Sequence, residues 1–141
     1  MADPILTAIA DHALALEAMN AGLELRNRLE VELPPQRRRS NYTAIFETDD
    51  PRWIENEKNV STLFDVEADA ALDLISIEPT TLDGAAKLIQ YVSDLEARGH
   101  RWPEGLQDDE KPTKLGKDWA VLIHRNLATM AEAASAQQGA L

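Results

Sequence analysis

Three histidines, His12, His100 and His124, are the residues best suited to proton transfer or metal ligation, and their spacing argues against both. No two of them share a helix face. Neither His-Glu-x-x-His nor the paired Glu-x-x-His pattern of di-iron four-helix proteins occurs. There is no cysteine, which excludes disulfides, thiolate zinc sites, iron–sulfur clusters and a Cys nucleophile. A Gly-x-Ser-x-Gly elbow, a Ser-x-x-Lys pair and a Gly-rich phosphate loop are also missing. No cofactor or metal is expected, no residue stands out as catalytic, and the expectation is a protein that is not an enzyme.

Three groups of side chains remain as candidates for binding. Asp65, Asp69 and Asp73 fall four apart on one predicted helix face, with Glu57 two turns earlier on the same stripe. Such a row is ordinarily a solvated outer face; its sharper reading is a docking surface for a basic protein partner. Arg37, Arg38 and Arg39 follow one another and could hold an anion or neutralise part of the acidic row. His100, Arg101 and Trp102 could grip a small ligand, although a loop tryptophan more often plugs the end of a bundle. His12 lies on an apolar stripe between Ile9 and Leu16, where a polar residue can set register or oligomeric state. The simpler expectation places it at a partly wet helix edge, bonded to a nearby carboxylate. Arg26 occupies the equivalent position two heptads later.

The elements that must position these groups read as helices. Apolar residues Ile5, Ile9, Leu16, Met19 and Leu23 give a helical period over 4–31, opened by Asp3-Pro4 as cap and first turn. Leu33-Pro34-Pro35 ends it. A connector over 36–48 should lay Tyr42, Ile45 or Phe46 onto the bundle. Asp50-Pro51 repeats the start signal for a second helix over 51–77, whose stripe is Trp53, Glu57 or Asn56, Val60, Phe64, Ala68 or Ala71, Leu72 and Ile75. Thr80-Thr81-Leu82-Asp83 offers a variant capping box for a third helix over 81–98, closed by Gly99 at a left-handed C-terminal position. A polar stretch from His100 to Lys114 precedes a fourth helix over 115–134, and 136–141 should fray. The expected fold is all-α: one domain over 1–135, a long antiparallel hairpin of the first two helices with two shorter ones packed on it, close to a four-helix bundle.

The chain has 141 residues, 44% hydrophobic and 28% charged, with a formal net charge of −11. One domain of that length can bury a core without staples. Residues 1–32 carry net −4, 33–46 net +3, 47–78 net −8 and the remainder −2. That balance disfavours nucleic acid, whose affinity comes from cationic contacts; mimicry of nucleic acid by the acids themselves is a further option. No apolar run approaches the ~20 residues needed to span a bilayer, and the acidic first twenty residues lack a secretory pattern, so a cytoplasmic location is expected. Apolar stripe left open by the shorter helices suggests a homodimer. These features add up to an interaction or scaffold protein; the alternative is a small-molecule binder or minor enzyme using the 100–114 loop.

Asp3-Pro4-Ile5 with Ala8-Ile9 and His12, Asp50-Pro51-Arg52-Trp53, and Pro79-Thr80-Thr81 with Gly84 and Tyr91 make most of the first 92 residues, the Arg37 to Arg39 connector least of all, similar to a loose set of short uncharacterised alphaproteobacterial proteins. The shared residues are caps and stripe positions. The resemblance implies a bacterial, all-helical protein and carries no activity.

Overall fold

The computed structural model describes residues 2–100 and, further along the chain, 128, 131–133 and 135–137. Among the described residues it is all-α: α1 (Pro4–Glu32), a single 3₁₀ turn (Pro35–Arg37), α2 (Pro51–Ser76) and α3 (Leu82–Ala97). The predicted fourth helix falls almost wholly outside the described residues. No described helix is long and apolar enough to cross a membrane.

Each start signal works as its chemistry requires. Asp3 accepts from the Ile5 amide at 3.2 Å and Asp50 from the Arg52 amide at 2.9 Å, each ahead of a proline that has no amide to satisfy. α3 is capped by Thr81, which accepts from the Gly84 amide at 2.9 Å. A capping box would take its returning carboxylate from the same helix. Here Asp83 pairs with Lys87 at 3.0 Å instead, and Asp3 supplies the carboxylate from across the fold. Its Oδ2 accepts from the Thr80 and Thr81 amides at 3.0 and 2.9 Å and from the Thr81 hydroxyl at 2.7 Å. One side chain therefore starts two helices. At the far end of α3, Gly99 has φ 91°; its amide donates to Glu96 and that of His100 to Leu95, the crossed pair of a Schellman ending.

The first two helices run antiparallel, as the partners along their seam require: His12 meets Glu67, Gly22 meets Asn56, Arg26 meets Glu57 and Glu32 meets Arg52. Gly22 makes the close approach possible, since a Cβ there would sit 2.9 Å from Leu63 Cδ1. The main core joins Ile5, Ala8, Leu16 and Met19 of α1, Ala71, Leu74 and Ile75 of α2, and Leu88, Val92 and Leu95 of α3. A second cluster of Leu29, Leu33 and Trp53 closes the other end of the hairpin.

Three expectations are corrected. Leu72 is turned outward, and Leu74 takes the buried place, because the inward stripe of α2 passes through Glu67, Ala71 and Leu74. Ile9 and Leu23 are only half-buried, while Ala8, Ala15 and Gly22 make the tight contacts of α1. The connector leaves Tyr42, Ile45 and Phe46 exposed. It is fixed by polar contacts instead: Asp49 accepts from the Ser40 amide and hydroxyl, and Trp53 Nε1 donates to the Ser40 carbonyl at 2.8 Å. Burial would raise the Asp49 carboxyl, but the Ser40 hydroxyl, the Arg39 and Ser40 amides and the Arg39 charge hold it below its ordinary range.

Candidate functional site: a buried Glu–His–Tyr chain

The polar residues that face inward along α1 and α2 form the most unusual chemistry of the molecule. His12 is 1% exposed and Glu67 is fully buried. His12 Nε2 lies 2.7 Å from Glu67 Oε1, and its Nδ1 lies 2.5 Å from the Tyr91 hydroxyl. The imidazole and phenol rings meet edge-on, 5.7 Å between centroids. One residue thus comes from each of α1, α2 and α3. A second polar pair sits further along the seam. Arg26 Nε donates to Glu57 Oε1 at 2.7 Å, reaches Glu30 at 3.2 Å, and stacks 5.3 Å from the Trp53 ring. Side chains that are long, charged and apolar-stemmed can pair inside a seam while their stems pack.

A carboxylate behind an imidazole behind a hydroxyl has the connectivity of a catalytic relay. Burial pushes the Tyr91 phenol up to about 12, against a pull down from the Arg98 charge and with a smaller push up from Glu67, so the hydroxyl stays protonated near neutrality. The tautomer with its proton on Nε2 lets Glu67 accept from His12 and leaves Nδ1 to accept from the Tyr91 hydroxyl. Both ring nitrogens are then engaged. The chain binds three helices together and fixes their register. Among the described residues, no group of three or more His, Cys, Asp or Glu side chains is arranged to hold a metal ion.

His12 therefore has its expected carboxylate, but at a dry seam rather than a wet helix edge. Glu57, read both as a stripe residue and as part of the acidic row, is 6% exposed and paired with Arg26; the stripe reading holds, and its place on the exposed row is corrected. Asp65, Asp69 and Asp73 do share an exposed face of α2, and none of the three forms an ion pair with a described residue. The arginines do not neutralise that row. Arg37 lends its carbonyl to the Asp50 amide at 2.9 Å, Arg38 Nε donates to the Leu33 carbonyl, and Arg39 donates to Thr48, lies 3.9 Å from Asp49 and covers the Phe46 ring. Two of the three guanidinium groups are thus engaged within the connector. His100 ends α3 through its amide; Arg101 and Trp102 lie outside the described residues.

Sequence reasoning missed Glu67 and Tyr91 as site residues. Glu67 lies seven residues after Val60 and seven before Leu74, a buried-stripe position. A carboxylate there, in a helix pairing with one that carries His12 on its own stripe, is the signal that could have found it. Tyr91 follows buried Leu88 by three, the same kind of position. In comparisons with known proteins, no family model, no curated protein and no solved structure matches this chain.

Proposed function

We propose that this is a non-enzymatic helical interaction protein that docks a basic protein partner on the outer face of α2. The observation that carries this reading is the row Asp65, Asp69 and Asp73: exposed, aligned, and without an ion pair to any described residue. Four-residue spacing makes like charges repel, at a few tenths of a kcal/mol per pair. Such a row is relieved when a cationic surface covers it, and this complementarity favours fast, salt-sensitive association. Support also comes from His12 and Glu67, which are buried between helices. Self-association belongs to the same reading, with Leu14 and Leu82 among the large apolar side chains on the outside of the helices.

Affinity capture at low and high salt tests this proposal, with the Asp65→Asn, Asp69→Asn, Asp73→Asn triple variant as the comparison. A basic partner retained at low salt, released at high salt and lost with the variant is expected. Capture that ignores the variant refutes the acidic face, and a concentration-independent monomer in light scattering refutes self-association.

A further inference from the structure

Beside the acidic row, Tyr42 of the connector and one face of α2 border a half-open pocket of about 290 Å³ lined by Tyr42, Glu57, Val60, Ser61, Phe64 and Asp65. Its lining combines two aromatic rings, an aliphatic wall and two carboxylates. Glu57 belongs to a side chain more than nine-tenths buried and spends Oε1 on Arg26. Glu57 and Asp65 are the two carboxylate residues in the lining. Asp65 is exposed, with no ion pair to a described residue.

These groups select one kind of occupant. An anion would meet two carboxylates. A purely apolar group would strip water from them without replacing the lost hydrogen bonds. An alkylammonium ion suits every part: its methylenes pack on Val60 and Phe64, aromatic faces attract its charge, and Glu57 and Asp65 accept from its three N–H donors. We infer that this pocket seats a lysine side chain carried by the basic partner. The inference rests on the acidic-face reading, because Asp65 belongs to both and Asp69 and Asp73 continue the same face for neighbouring cations of that partner.

The test uses ¹⁵N-labelled full-length chain titrated with n-butylammonium chloride, an analogue of the lysine side chain, with n-butanol as the uncharged control. Saturable amide shifts clustered at Tyr42, Ser61 and Asp65 are expected with the ammonium and not the alcohol. Asp65→Asn should weaken binding about fivefold, the scale of one solvent-accessible ion pair, and Ser61→Phe, which fills the pocket, should remove the cluster. Tyr42→Ala, on the exposed connector, is the second variant should Ser61→Phe disturb folding; it should weaken the ammonium and leave the spectrum otherwise intact. A lysine-rich helical peptide should then compete for the same resonances. Shifts spread evenly over acids such as Asp83 and Glu96, or indifferent to both pocket variants, overturn the inference. The two readings separate in the peptide arm. Loss with Asp69→Asn and Asp73→Asn but not with the pocket variants overturns the lysine seat alone. Loss with the pocket variants only overturns the acidic row.

Discussion

Gly84→Ala should destabilise this protein, against the usual rule for helices. In an exposed helix the same change gains about 1 kcal/mol. Gly84 is the third residue of α3, and a Cβ there would fall within the Asp3 carboxylate, 2.7 Å from its Cγ and 2.9 Å from Ile5 Cγ2. Carbon atoms pack at about 3.5–4.0 Å, so something must move. Asp3 is poorly placed to yield, because its two oxygens hold four donors from both helix starts. Displacing it costs an N-cap worth ~1 kcal/mol and weakens charge-assisted bonds worth ~1.5–3 kcal/mol each; backbone shift instead costs ~1–3 kcal/mol. After the ~1 kcal/mol gain in helix propensity, the cheaper of these routes leaves a net loss of up to about 2 kcal/mol. Urea unfolding followed by circular dichroism measures it. In an Asp3→Ala background the obstacle is gone, and Gly84→Ala should cost much less than in the parent. A neutral or stabilising effect in the parent, or strict additivity of the two changes, refutes the shared-carboxylate account.

The buried chain yields further expectations. His12→Ala removes the bond to Glu67 inside a dry seam and should cost ~3 kcal/mol or more in the same urea assay. Tyr91 titrates in the unfolded chain near 10 and in the fold only at about 12. Stability it contributes is thus complete below pH 10 and lost as pH rises towards 12; Tyr91→Phe should flatten that alkaline slope in pH-dependent melts. Asp3 behaves oppositely. Burial raises its carboxyl, but the Thr81 hydroxyl and the Ile5, Thr80 and Thr81 amides outweigh that and hold it below 3.8. Its stabilisation is present above that value and disappears as pH falls through the lower, folded-state value, so Asp3→Asn should lower stability at neutral pH and make it less sensitive to acid below pH 4.

How much of this was legible depends on where the decisive contact lies. Caps are local, and Asp3-Pro4, Asp50-Pro51 and Gly99 each announced a helix end that the structure places within a residue or two. Stripes were legible where large apolar residues carry them, as at Ile5, Leu16 and Met19. They were misread where small residues do, because Ala8, Ala15 and Gly22 bury little surface alone and matter only once a neighbouring helix comes close. Leu72 shows the same limit: its hydrophobicity placed it inward, while the phase of α2 was set by Ala71, Leu74 and the polar Asn56, Glu57 and Glu67. The seam chemistry was least legible. A buried Glu reads as a surface residue until its partner is known, and His12, which bonds Glu67, lies 55 residues before it. The acidic alignment of Asp65, Asp69 and Asp73 needed only helical period and was recovered in full, apart from Glu57, which its pairing with Arg26 draws inside.

The two polar stations of the hairpin explain why it adopts one register. On α1 they stand 14 residues apart, at His12 and Arg26; on α2 they stand 10 apart, at Glu57 and Glu67. The spacings differ by about one helical turn, ~6 Å at 1.5 Å per residue, and the long Arg26 side chain spans the difference. Slide α2 by one heptad and His12 faces Val60 or Leu74 while Glu67 faces Met19 or Ile5. Each such register buries a carboxylate against hydrocarbon, at a cost of several kcal/mol per ion. An all-apolar seam would lack that penalty: Leu, Ala and Met pack nearly as well one heptad along, as in underspecified bundles. The charged pairs need not add net stability to be kept, since replacing a buried pair by apolar residues is often neutral. Their effect is to raise the energy of the alternatives. For the docking proposed above that selection would matter, because the register of α2 also sets where Asp65, Asp69 and Asp73 stand relative to Tyr42 on the connector.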